Sequence, residues 1–384
     1  MKLIYPAISL DHTNPVTNKN LIGNYLIKTF NEIGVETQIV FYKNQLAKYF
    51  FAPKKLYYKF KRQNYIVSRE PKLLKYLTKK IKHTVNQSDA DFVFAFGTHP
   101  VAFLETSKPI FIITDSTFNN LLNRYDDYFN LATEFVEENH KIERIAFEKA
   151  RKIFFSSKFA IDDAINYYGV NPQKLVQVPL GANIDKYPNE IEIASIIQNR
   201  LDKPLEMLMI GKEWHRKGMD IGIEIFNRLS SKFNNCKLTI VGTKPPNNII
   251  NPNIEIIEKI DKSTLEGTEH FNQILEKSHF LLFPSRAEAF GHVISEANAF
   301  GIPVMGSNVG GIPSAIEIGI NGYLFEISKN DGIEFVVNKI TELYSNKDNY
   351  KELAFNSYKT FSSKLNWKTI VKNIKTIIEK SVYY

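Results

Sequence analysis

Phe280-Leu-Leu-Phe-Pro284-Ser-Arg-Ala-Glu288-Ala-Phe-Gly291-His-Val-Ile-Ser-Glu296-Ala-Asn-Ala-Phe-Gly301-Ile-Pro303 is the stretch whose reading decides the fold. An apolar run closed by proline reads as a buried strand, the following residues as a loop holding Glu288, and the rest as a helix opening near Gly291. A helix that begins behind a glycine presents free backbone N–H groups and the positive end of its dipole, which suits a phosphate. Glu288 precedes that end and Glu296 sits inside the helix. Their spacing of about two helical turns is enough to reach opposite ends of an elongated ligand if both face a cleft.

The same strand-loop-helix grammar repeats in both directions from this point. In the first half, strands are expected near Lys2 to Ser9, Thr37 to Tyr42, Asp91 to Phe96, Ile110 to Thr114, Ile153 to Ser156 and Leu175 to Val178. In the second they fall near Met207 to Ile210, Lys237 to Val241, Ile254 to Ile260, Phe280 to Phe283, Pro303 to Gly306 and Gly322 to Phe325. Short apolar runs separated by helical patterns belong to parallel α/β sheets. Pro179 to Pro204, with Gly181, Pro188 and a polar stretch, reads as the boundary between two doubly wound domains, residues 1–180 and 181–364. Ligands of such sheets bind beyond the carboxyl ends of the strands, so a central cleft faced by both domains is the expected site.

A second stretch, Met209-Ile-Gly211-Lys212-Glu-Trp-His-Arg216-Lys217-Gly218-Met-Asp220, reads as a strand end, a basic loop and the start of an amphipathic helix. Lys212, Arg216 and Lys217 can neutralise a pyrophosphate and stabilise it as a leaving group. Three exposed cations with no such ligand would oppose the dipole of the helix they precede.

Composition narrows the rest. The chain has 384 residues, 43% hydrophobic and 23% charged, a length for two domains and a content that excludes disorder. Cys236 is the single cysteine, which excludes an intrachain disulfide framework and a cysteine-rich zinc site and fits a reducing compartment, the cytoplasm by default. No run approaches the roughly 18 apolar residues of a membrane-spanning helix, and the first ten residues make a poor signal peptide. The net charge of +8 is local. Lys43 to Lys82 holds thirteen Lys or Arg against Glu70, so this segment carries +12 and the rest of the chain about −4. Tyr49, Phe50, Phe51, Tyr57, Tyr58, Phe60, Tyr65 and Tyr76 are interleaved with those cations. That mixture suits an anionic lipid surface; the other reading is a solvated helical face whose aromatics pack inward. Metal, dinucleotide and P-loop signatures are absent: no histidine pair has ligand spacing, no G-x-G-x-x-G follows the first strand, and no G-x-x-x-x-G-K-[ST] occurs. Asp89-Ala-Asp91 has a D-x-D spelling but lies at a strand's start, so it reads as a pair of loop acids.

Glu288 and Glu296, with Phe290-Gly291 between them and Ala297 after, resemble the E-x7-E motif of retaining GT-B glycosyltransferases of family 4. The resemblance extends to Lys212 and Lys217 around Gly211 and Gly218, to Val178-Pro-Leu-Gly181-Ala-Asn183, and to Asn308-Val-Gly310-Gly311-Ile-Pro313. It implies a GT-B architecture, two Rossmann-like domains facing a cleft, the first for the acceptor and the second for a nucleotide-diphosphate sugar. A last helix, residues 365–384 beginning around Trp367, is expected to pack back on the first domain. On the family pattern Glu288 lies beside the donor sugar and Glu296 bonds the nucleotide ribose. Lys212 and Lys217 stabilise the diphosphate with the helix opening at Gly291, His292 and Val293, and Arg216 assists; His292 either touches the ligand or caps the helix, while Gly310 and Gly311 let backbone approach the ligand. The family is thought to react on one face of the sugar, so no carboxylate nucleophile and no metal or other cofactor is needed.

The chain also departs from the pattern. Asp11 to Asn24 contains only Gly23 where many members carry a glycine-rich loop, and Asp115 in Thr114-Asp-Ser-Thr-Phe118 stands where many carry a histidine. Asp115 is the candidate that orients the acceptor hydroxyl or receives its proton; the alternative is a helix N-cap. The expected partners are a nucleotide sugar (UDP- or GDP-linked), a glycan or lipid-linked acceptor and an anionic membrane surface reached through Lys43 to Lys82, with no nucleic acid. The competing readings are a non-catalytic scaffold of the same fold and a nucleotide-sugar epimerase or sugar-phosphate synthase.

Overall fold

A computed structural model describes residues 1–9, 22–43, 46–246, 251–328 and 330–383. The chain forms two compact units, Met1–Val178 with Ile370–Tyr384, and Pro179–Thr369. Most of the glycine-poor stretch after the first strand lies outside the described residues.

The first unit is a six-stranded parallel sheet of β1 (Lys2–Ser9), β2 (Glu36–Lys43), β3 (Phe92–Phe96), β4 (Ile110–Thr114), β5 (Ala150–Phe155) and β6 (Leu175–Gln177), in the order β2-β1-β3-β4-β5-β6. The central strands, Phe-Val-Phe-Ala-Phe and Ile-Phe-Ile-Ile-Thr, are buried almost throughout because helices cover both faces. The helix Pro71–Gln87 opens on a proline and buries Leu73, Leu74, Leu77, Thr78, Ile81 and Val85, a stripe of helical period. Asp89 and Asp91 sit at the amino end of β3, where Lys2 holds both: its Nζ is 2.5 Å from Asp89 and its backbone N–H donates to Asp91 at 2.7 Å.

The second unit repeats the plan with β7 (Glu206–Ile210), β8 (Lys237–Val241), β9 (Ile254–Ile257), β10 (Phe280–Phe283), β11 (Val304–Ser307) and β12 (Gly322–Phe325), in the order β12-β11-β10-β7-β8-β9. All twelve strands fall where the apolar runs put them. Chain direction across the sheet reverses between β7 and β10, whose Phe280 and Leu281 face Met207 and Leu208 in parallel register. Such a switch point opens a crevice at the carboxyl ends of the two strands, and both motif stretches begin there.

The polar stretch from Pro179 to Pro204 is more structured than its composition suggests. It contains the helix Glu190–Arg200, whose N-terminus is closed by an Asn189 and Glu192 capping box. Arg200 is buried and donates to the carbonyls of Leu275, Glu276, Phe300 and Gly301. It thereby supplies a cation and hydrogen bonds to the last turn of the helix Leu265–Lys277 and to the end of the helix His292–Ala299.

Candidate active site

The loops that leave β7 and β10 are clasped to each other. Arg286 donates its backbone N–H to Arg216 O at 2.7 Å and its guanidinium to His215 O at 2.7 Å and to both carboxylate oxygens of Asp220 at 2.8 and 2.6 Å. Gly218 adopts φ +65° directly before the helix Met219–Ser230, and a Cβ there would run into the Pro284 carbonyl. The two loops can close to this distance because that position is glycine.

Glu288 sits in the loop, with the helix beginning only at His292. Only Glu296 is helical, so the eight-residue spacing is a loop followed by one helical turn, and not two turns of one helix. Glu288 forms an ion pair with Lys217 Nζ, and Arg216 Nη1 lies 3.6 Å from the same oxygen; Lys217 and Glu288 are each only 11% exposed. Burial pushes the Glu288 carboxyl up, but Lys217 and Arg216 outweigh it and hold the group below its ordinary range. Arg216 also binds Glu213 and the Ala287 carbonyl, the latter at 2.9 Å. Of the three cations expected at the helix start, Arg216 and Lys217 are therefore largely buried and matched by carboxylates; Lys212 alone is exposed.

Gly291 turns the chain at φ +89° and no side chain caps the helix behind it, so the positive end of the dipole is open. His292 follows, its imidazole held below the ordinary range by burial against the upward pull of Glu296. Val293 is buried at the next position. Glu296, 1% exposed, accepts from Lys262 Nζ at 2.8 Å, and the same ammonium donates to Asn183 O at 3.3 Å and lies 4.7 Å from the centre of the Phe271 ring. Lys262 did not stand out in the sequence. Its pairing with a carboxylate 34 residues away leaves no local pattern.

The close backbone approach expected at Gly310 and Gly311 is made to the chain itself. The Gly311 N–H donates to Glu288 O at 2.9 Å, and at Gly310, φ +57°, a Cβ would collide with that carbonyl. The glycines thus fix the backbone of Glu288. At Gly181 a Cβ would come within 2.7 Å of the Trp367 ring, whose Nε1 donates to Asn183 at 3.2 Å.

Asp115 belongs to the first unit, directly after β4, where its carbonyl accepts from Ser156 Oγ at 3.2 Å. It is not the helix cap. Thr117 caps the helix Phe118–Leu121, accepting the Asn120 N–H at 3.1 Å.

Comparison with known proteins agrees with this fold. Residues 191–360 match the family described as glycosyl transferases group 1. An uncharacterized glycosyltransferase of Methanocaldococcus jannaschii is 30% identical over 173 residues, 45% of this chain and 47% of that protein, so the match spans about half of the relative's length. A glycosyltransferase from Rickettsia africae superposes with a TM-score of 0.67 at 14% identity, covering 100% of this chain and 98% of its own. Anabaena HepE, solved in complex with UDP-glucose, gives 0.64 at 14% identity over 99% and 100% of the two chains. The protein therefore has the two-sheet fold of the GT-B glycosyltransferase structures, and its residues 191–360 match the glycosyl transferases group 1 family.

Proposed function

We propose that the protein is a retaining glycosyltransferase of family 4 that moves a sugar from a nucleotide-diphosphate donor to a hydroxyl of a glycan or lipid-linked acceptor at the cytoplasmic face of a membrane. The observation that carries this reading is the crevice between β7 and β10, where Glu288, Lys217, Arg216 and the open helix end at Gly291 converge. Two cations and a helix N-terminus meet the requirement of a departing diphosphate, and Lys212 extends the set toward solvent. Glu288 holds the sugar and Glu296, oriented by Lys262, takes the ribose. The HepE complex supports a UDP-linked donor by analogy of fold.

The acceptor oxygen bonds to the anomeric carbon as the bond from that carbon to the diphosphate oxygen breaks. The acceptor proton passes to the departing phosphate on the same face, which retains configuration and needs no metal. Asp115 orients the acceptor hydroxyl. Most of the rate then comes from positioning and charge stabilisation.

The membrane reading is supported by the way the basic segment divides. Phe51, Tyr58 and Tyr65 pack into a small core with Ala47, Leu73, Leu77 and Phe135, whereas Leu46, Tyr49, Phe50, Leu56 and Phe60 are 67–89% exposed. The inward-packing reading thus holds for one set of side chains, and the outward apolar set, which lies among Lys55, Lys59, Lys61 and Arg62, supports the membrane reading.

A screen of UDP-, GDP- and ADP-sugars for hydrolysis of the donor, which needs no acceptor, tests the assignment. One sugar nucleotide should be cleaved, and Glu288→Gln should lower kcat/KM by about 100-fold or more, the usual effect of removing one stabilising group. Equal turnover in that variant would remove Glu288 from the site.

A further inference from the structure

The first unit contains a group of polar side chains that the donor chemistry leaves unused. Arg69 closes the short helix Val67–Arg69, and its guanidinium carbon lies 4.8 Å from the ring centre of Phe118 and 5.2 Å from that of Tyr128. Tyr128 also fixes it, accepting from Nε at 3.1 Å. No carboxylate among the described residues forms an ion pair with it, and its terminal nitrogens make no hydrogen bond there. An arginine lying against the rings of Phe118 and Tyr128, with Nε bonded and its terminal nitrogens without a hydrogen bond among the described residues, can receive a planar or tetrahedral anion in bidentate fashion.

A second observation lies at the same edge of the sheet. His99 follows β3 by three residues, and its Nε2 is buried with no hydrogen-bond partner among the described residues. A buried polar atom without a partner costs stability and marks a place where a ligand or water belongs. Burial and the nearby charge of Arg69 hold this imidazole well below its ordinary range. The same charge reaches Glu143, which accepts the Phe118 N–H at 2.6 Å; burial nevertheless pushes its carboxyl up to about 7. The acid that could have neutralised Arg69 is therefore only partly ionised near neutral pH.

The location agrees with a ligand role. Phe118 and His99 stand just past the carboxyl ends of β4 and β3, the edge where parallel sheets bind ligands and where Asp115 sits. The group also adjoins the exposed apolar segment: Tyr65 stacks on Tyr58 at 5.3 Å and donates to Glu70, the residue after Arg69.

We propose that Arg69 and His99 form an anion subsite that takes a phosphate or carboxylate group of the acceptor, so that the acceptor is an anionic molecule. This rests on the glycosyl-transfer reading for the word acceptor, but the subsite is testable without it. Inorganic phosphate is titrated by calorimetry into the full chain carrying Lys217→Ala, which weakens the donor-side anion site, with and without Arg69→Gln. Acetate and vesicles of phosphatidylcholine with phosphatidic acid form parallel arms that separate a carboxylate, a free phosphate and a lipid headgroup.

Phosphate or one of the other probes should bind, and Arg69→Gln should weaken it at least tenfold. His99→Gln should weaken it several-fold. Arg69→Lys, which keeps the charge but loses the fork, should fall between, and it replaces Arg69→Gln if that variant does not fold. Affinities that are unchanged across all three variants for every probe, or no binding at all, would overturn the subsite. Donor hydrolysis by the unaltered protein reports separately on glycosyl transfer, so either result can fail without the other.

Discussion

Lys217 and Glu288 are paired in the fold at the place where the proposed chemistry lies. On sequence alone, losing either should cost turnover and leave stability nearly unchanged, because both read as ligand contacts. In the folded chain they are a largely buried ion pair, with Arg216 as a weaker partner at 3.6 Å. Lys217→Ala should therefore lower stability by about 3 kcal/mol, the low end for breaking a buried pair since Arg216 remains. Glu288→Gln, which still offers Lys217 an acceptor, should cost less. The pH dependence follows from the depressed Glu288 carboxyl: its contribution is present above the ordinary carboxylate range and is lost as pH falls through the lowered value. In Lys217→Ala burial is less well offset and the folded carboxyl rises toward or above its unfolded value, so melting curves recorded from about pH 3 to 7 should show a smaller acid loss than in the parent. An identical acid limb would show that the pair does not hold Glu288 ionised. The two residues stood out as candidates in the sequence, because each lies in a glycine-flanked motif at a strand end. That they bind each other was not legible there, since 71 residues separate them.

At the scale of elements, the segment from Leu46 to Arg62 forms the short helices Ala47–Phe50 and Ala52–Phe60. Its charge suggests binding that salt abolishes, but the exposed side chains are as much apolar as cationic. Membrane recruitment should thus have a salt-sensitive part and a salt-resistant part. Phe50→Ser with Phe60→Ser should remove the second, and neutralising Lys55, Lys59, Lys61 and Arg62 should remove the first, as read by sedimentation with anionic vesicles at low and high salt. Recruitment indifferent to both sets would reject the surface. Lys54 must be left out of that set. It lies 2.7 Å from Glu70, which is 2% exposed, so neutralising it would strip a buried carboxylate of its cation. Composition could show how many cations the segment holds. Which of them are already matched depends on how Glu70, sixteen residues from Lys54, is carried beneath the helix.

For the whole molecule, the chain returns to its first unit at the end. Ile370, Val371, Ile374 and Ile378 are at most 1% exposed, and they group with residues 1–178 though they close a helix that begins at Trp367. Burying each such side chain contributes about 1.5–3 kcal/mol. A chain ending at Thr369 should therefore destabilise the first unit selectively, seen as earlier hydrogen exchange in β3 and β4 than in β7 and β10. Uniform exchange in both units would show that the last helix is dispensable. The number and chain positions of the strands, the two-sheet plan and the candidate carboxylates, cations and glycines of the crevice were determined by sequence alone, because hydrophobic period and turn chemistry are local properties. Partner choice was decided only in the folded chain: Lys217 with Glu288, Lys262 with Glu296, Arg286 with Asp220, and Gly310 against the Glu288 backbone. The strand order brings these residues together from separate loops, and a contact between distant loops has no signature in the spacing of either one.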